Sequence, residues 1–285
     1  MKLDCHIHSK IADSDRAGFI SNLQAGGFDG GIVMSHSPLK EYGEPPSPQT
    51  RMDAVPKLTG GHPHLFPFYW IDPTEPDALK QVELAERKGI LGYKVICSHH
   101  FPCDERVLPV YRAMAALNRP LLFHSGILWD GRNASGNFNR PCNFEGLLAV
   151  DNLRFALAHV SWPWTDECIA LYGKLNDARR SFPHAGPGAE MFIDLTPGTP
   201  LPYRKPMFER LLFSGYDIKT NLLYGIDNYT HPYNAAYAQE WLARDESIFE
   251  EYERLGGMFG QPLDADFREH LYALNLLRFI GKGAA

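Results

Sequence analysis

A chain of 285 residues is long enough for one large α/β barrel or for two ordinary domains. Charged residues make up 22% and the formal net charge is -6, so no basic field invites nucleic acid and no acidic tail points to disorder. Five cysteines without a CxxC spacing argue against a disulfide framework and a cysteine zinc site, and no apolar run approaches the roughly 20 residues that span a bilayer. A soluble, unprocessed cytoplasmic protein with a small-molecule partner is expected, with no nucleic acid and no membrane.

The first predicted element, 3–8 (LDCHIH), is a short apolar strand ending in His6 and His8. Strand residues i and i+2 share a face, so both imidazoles point to one place and supply half of a tetrahedral shell for zinc or a related ion. Alone the spacing is weak, because His-x-His often occurs by chance. The glycines of GGFDGG (26–31) lie ahead of strand two (31–36), whereas a phosphate cradle must follow a strand. The five prolines of 37–57 predict partly irregular backbone over the barrel's upper rim, either a lid or an ordinary surface excursion. His62-Pro63-His64 repeats the opening spacing but precedes strand three (66–71), which places it on the opposite end as a surface turn.

A helix over 77–88 leads to strand four (91–97), where Lys94 lies among apolar residues; His99 and His100 follow it, either lining a substrate pocket or in a solvated loop. His36 at the end of strand two is equally ambiguous. Helix 105–118 precedes strand five (121–125) with His124; a Gly- and Asn-rich connection (127–143) then carries Arg132 and Arg140. Strand six (155–159) ends in His159, strand seven covers 191–195 and strand eight (222–227) ends in Asp227. Two last helices, 233–255 and 264–280, carry Trp241, Phe249, Leu271, Leu274 and Leu277; they either close the barrel's bottom or side or form a subunit contact, as in a homodimer.

Most of the eight strands are apolar on consecutive residues, as in a parallel sheet buried on both faces, and each unit has the length of a strand plus a crossover helix. The count predicts a (β/α)8 TIM barrel filling 1–285 as a single domain. Active sites of that fold sit at C-terminal strand ends, which hold His6, His8, His124, His159 and Asp227; closure brings strands one and eight together. Lys94 is read as a carboxylate-binding cation, a carbamylated bridge between two metals, or a lysine whose tip escapes to the rim.

HxH after strand one, GYKV, LLFHSG, RPCNFEGLLAVDNLRFALAHV and LLYGIDNY, in that order, together resemble the amidohydrolase superfamily. The branch it resembles is the amidohydrolase-2, or amidohydrolase-related, one, which includes aminocarboxymuconate-semialdehyde decarboxylase and related lactonases. The resemblance implies a distorted (β/α) barrel and one divalent metal, usually zinc with manganese, nickel or iron as alternatives, held by His6, His8, His124 and Asp227. It also implies that His159 serves behind the ligands or as a catalytic acid/base. Two departures stand out: GIDNY replaces a serine- or threonine-containing motif, and Ile96-Cys97-Ser98 stands where a histidine often follows the lysine.

The leading expectation is hydrolysis of a small, carboxylated amide, ester or lactone by a metal-activated water, with Asp227 moving the proton and His159 assisting. Lys94, Arg140 and His100, with Arg132, are expected to bind substrate. The alternative is a metal-dependent decarboxylase of an aromatic or dienyl acid using the same groups; a barrel that binds without turnover is a third. Serine hydrolase chemistry lacks its GxSxG turn.

Overall fold

Consecutive apolar residues form the strands of a parallel ring in the computed structural model, which describes residues 1–10, 15–40, 43–131, 133–181, 188–259 and 263–283. The strands are β1 (Leu3–His8), β2 (Gly30–Met34), β3 (Leu65–Trp70), β4 (Gly92–Val95), β5 (Leu121–Phe123), β6 (Arg154–Leu157), β7 (Glu190–Asp194), β8 (Leu222–Leu223) and β9 (Asn228–Tyr229). They pair in the order β8-β7-β6-β5-β4-β3-β2-β1-β9, every pairing parallel. The eighth strand of the sequence reading is therefore split. Its first half pairs with β7, its second half pairs with β1, and Cys5 N–H donates to Tyr224 O at 2.9 Å between them, closing the ring.

Side chains divide by alternation between two apolar layers. Ile32, Met34, Phe66, Phe68, Leu122, Ala156, Phe192 and Leu223 fill the ring's interior, whereas Val33, Tyr69, Val95, Phe123, Leu157 and Ile193 face the helices outside. In β1, Leu3 and Cys5 join the interior and Ile7 the outside. The register against β2 slips between Asp4 and Ile7, where a bulge adds one residue. Strict alternation from Leu3 would turn His6 and His8 outward; the bulge turns both into the mouth of the barrel. Gly31 is needed beside it, because a Cβ there would lie 2.1 Å from Asp4 O.

The outer helices are α1 (Arg16–Ala25), α2 (Pro48–Thr59), α3 (Ala78–Arg87), α4 (Leu108–Ala116), α5 (Thr165–Ser181), α6 (Leu201–Leu212) and α7 (Ala235–Phe259). The segment 37–57, expected to be partly irregular, is so ahead of Pro48 among the described residues, and its second half is α2: Ser47 caps it through Thr50 N–H, and Pro48 sits in the first turn, where its missing N–H costs nothing. Between β5 and β6 the chain makes 3-10 turns, Gly136–Asn139 and Pro141–Ala149, which is where the barrel departs from regularity. The C-terminal helix α8 (Phe267–Glu269), a π turn (His270–Leu274) and α9 (Asn275–Phe279) plug one end. Phe279 packs on Phe68 and Phe192 inside the ring, and Asn275 donates to Lys219 O and Leu222 O at the start of β8, so the plug closes the bottom. No helix among the described residues is long and apolar enough to cross a membrane. Arg132, expected to bind substrate, lies outside the described residues.

Candidate active site and metal centre

At the ring's other end, β1 offers His6 and His8, the residues after β5 and β6 offer His124 and His159, and the break in the eighth strand offers Asp227. His159 and Asp227 have positive φ, 60° and 57°, as do Val160 (47°) and Ser161 (55°). Left-handed backbone is unfavourable for these residue types, and for a β-branched valine most of all. The turn persists because Val160 and Ser161 are buried and Ser125 Oγ donates to Ser161 Oγ at 2.7 Å. Gly126 permits it: at φ 94° it passes so close that a Cβ would lie 2.3 Å from Trp162 O.

Bonds behind the rings fix which nitrogen faces the centre. His6 Nδ1–H donates to Asp194 Oδ2 at 2.7 Å, with both residues buried, and Asp194 Oδ1 accepts Thr196 N–H at 2.6 Å. His124 Nε2 meets Ile127 O at 3.2 Å and His159 Nδ1 meets Pro197 O at 3.1 Å; a carbonyl only accepts, so each ring donates there and keeps its other nitrogen bare. His6 Nε2 lies 3.7 Å and His8 Nε2 3.2 Å from Asp227 Oδ1. The His6–His8, His6–His159 and His124–His159 ring centroids are 5.1, 5.3 and 5.1 Å apart. One ring nitrogen each of His6 and His159 and an oxygen of Asp227 lie within 4.8 Å of one another.

Burial sets the charges. It pushes the His6 imidazole down to about 4, aided by the Lys94 charge, and lowers His124 and His159 as well. Burial would raise Asp227, but the imidazoles around it, His6 foremost, hold it well below the usual carboxylate range. Asp194 is likewise held down, against burial, by His6. Lys94 is buried, its Nζ 3.3 Å from His6 Nε2, and burial brings its ammonium down to about 8. Neutral imidazoles with bare nitrogens around an ionised carboxylate are the donor set of a divalent metal.

These groups floor a cavity of about 570 Å³ walled by Trp70, Ile96, Leu128, Trp129, Trp162 and Tyr229. His36 and Ser37 line it too, so the segment after β2 reaches the rim. Arg140 and His100 do not line it. Arg140 binds both oxygens of Glu167, in the first turn of α5, and lies over Trp164: a carboxylate of the chain itself takes its guanidinium. His100 is buried in the segment that follows β4. His62 and His64 form a turn ahead of β3, at the opposite end. Asp194 escaped the sequence reading, though MFID is a strand ending in a carboxylate and the strand-end rule that picked Asp227 applies equally to it.

The fold and the floor together define a (β/α) barrel with a histidine–carboxylate centre at its C-terminal face. Among solved structures, an uncharacterised TIM-barrel protein from Bordetella bronchiseptica matches with a TM-score of 0.65 at 13% identity, over 99% of this chain and 98% of that one. A 2,6-dihydroxybenzoate decarboxylase in complex with 2,6-dihydroxybenzoate matches with a TM-score of 0.59 at 12% identity, over 98% of both chains. An amidohydrolase from Burkholderia multivorans with bound HEPES has the same TM-score and identity, over 98% of this chain and 99% of that one. No family model matches the chain, and no curated protein matches its sequence. The fold is thus one shared with amidohydrolases, as the motifs anticipate.

Proposed function

We propose that this protein is a metal-dependent enzyme of the amidohydrolase type that hydrolyses a small, carboxylated amide, ester or lactone. The observation that carries this reading is the convergence of tautomer-locked, neutral imidazoles on one ionised carboxylate. A tetrahedral shell with ligands at about 2.1 Å spaces its donor atoms about 3.4 Å apart; the 3.2 and 3.7 Å separations of His8 and His6 from Asp227 fit it. His6, His8 and Asp227 would hold one divalent ion, zinc by donor type, with the fourth position taken by His124, as the resemblance implies, or by His159, whose ring nitrogen lies within 4.8 Å of donors from His6 and Asp227. An ion of this kind supplies acidification of water and polarisation of a carbonyl.

The chain's own groups do the rest. Asp227 opens onto the cavity, its side chain 35% exposed, and is the ionised base that takes a proton from water and passes it to the leaving group. The bare Nε2 of His159 can accept and relay a proton at the reacting group, while Lys94 attracts the substrate carboxylate and the aromatic walls hold a planar body. One observation favours decarboxylation as the second reading: a carboxylate drawn to Lys94 would lie at the centre, beside His6, rather than at the rim.

Purified protein should carry metal, and its removal by a chelator should abolish turnover that zinc or manganese restores. Less than about a tenth of an equivalent, with no gain on adding either ion, would sink the metal reading. Asp227→Asn should lower turnover about 100- to 10,000-fold. Panels of esters, amides, lactones and carboxylated aromatics separate the two reactions: carbon dioxide release from the aromatic acids moves the assignment to the lyase.

A further inference from the structure

A second histidine–carboxylate group sits on the same face of the barrel, between the segments that follow β3 and β4, and none of its members lines the cavity. We infer that Asp72, His99 and His100 form a second binding site for a divalent transition metal, separate from the central one. One donor atom from each lies within 4.8 Å of the others. Asp72 Oδ2 and His99 Nε2 are 3.4 Å apart, the spacing of neighbouring ligands in a tetrahedral zinc shell, about 3.4 Å.

The hydrogen bonds around the trio orient its donor atoms. Thr74 N–H and Thr74 Oγ1–H both donate to Asp72 Oδ1, at 2.9 and 2.7 Å, and so orient Oδ2 toward His99. Ser98 Oγ lies 3.0 Å from His99 Nδ1 and holds the ring from behind, the arrangement that sets a ligating histidine. Thr74 Oγ1, its hydrogen given to Asp72, lies 3.1 Å from His99 Nε2, so the ring donates there and a metal would displace that proton, which moves to Nδ1 facing Ser98 Oγ or to solvent. An independent observation comes from His100: the residue is only 2% exposed, yet neither ring nitrogen has a hydrogen-bond partner among the described residues. A buried imidazole without a partner is costly, and a metal satisfies it. Two imidazoles and one carboxylate select zinc, cobalt or nickel over magnesium or calcium. The remaining positions face solvent beside His99, whose side chain is 49% exposed.

The test uses the whole chain with its central site already loaded, titrated calorimetrically with Co2+ and with Zn2+. One further equivalent should bind, and His99→Ala and Asp72→Asn should each weaken that event at least about 100-fold while leaving the central metal content unchanged. In the unaltered chain, Zn2+ should also slow carbethoxylation of His99 by diethyl pyrocarbonate. No further equivalent, an equivalent indifferent to both substitutions, or an unchanged rate of modification overturns the assignment. The central metal is counted separately, so its absence would strike the proposed function and not this site.

Discussion

Asp194 determines which nitrogen His6 shows to the cavity. An ionised carboxylate accepts the Nδ1 proton at 2.7 Å and leaves Nε2 bare; in Asp194→Asn the neutral amide accepts more weakly and offers a competing donor. Metal affinity should fall about 10- to 100-fold in a chelator competition, with the fold intact by circular dichroism; unchanged affinity would remove Asp194 from the positioning role. Thiol chemistry gives a second test at this scale. Cys142 is exposed, Cys5, Cys97 and Cys168 are buried, and burial pushes Cys103 up to about 11 and Cys168 up to about 12. Thiolate is the reactive form, so raised values keep these thiols inert until the pH nears 11. A disulfide reagent at neutral pH should therefore titrate Cys142 rapidly and the other four only after unfolding. His6, His8, His124, His159 and Asp227 were legible in sequence because strand ends are countable. The roles of Arg140 and His100 were not, since a loop position does not reveal whether Glu167 or a substrate will meet the guanidinium.

The elements that place the site depend on close backbone approaches. Gly31→Ala would drive a methyl into Asp4 O and displace β1 at the bulge, so a loss of about 3 kcal/mol in chemical denaturation is expected, with the site disturbed as well. Gly61, with φ 74° and open space around it, is a contrast: there alanine should cost only about 1 kcal/mol, from backbone conformation alone. Equal losses at the two positions would contradict the close-contact account. Apolar runs marked every strand to within a few residues. The bulge left no trace in residue type, and α2 was hidden by its two prolines, Pro48, harmless at the first turn, and Pro56, which lies inside the helix.

Across the whole molecule, stability and chemistry occupy opposite ends. Phe279 fills the bottom of the ring against Phe68 and Phe192, far from the imidazoles at the mouth. Phe279→Ala should cost about 3–5 kcal/mol in unfolding free energy while leaving metal content and kcat of the folded protein unchanged; a matching fall in kcat would show the two ends to be coupled. The ring and its direction could be read from strand count, but its closure through one split strand depends on contacts between residues some 220 positions apart, such as Ile226 N–H with Asp4 Oδ1. The bulge in β1 also bears on how such chains are compared. In alignment terms, one letter between Leu3 and His6 is an insertion: a chain reading LDHIH would bring the same two imidazoles inward on a regular strand. Relatives of this protein should be aligned with a gap allowed inside their first strand, and deletion of Cys5 should leave both histidines at the mouth.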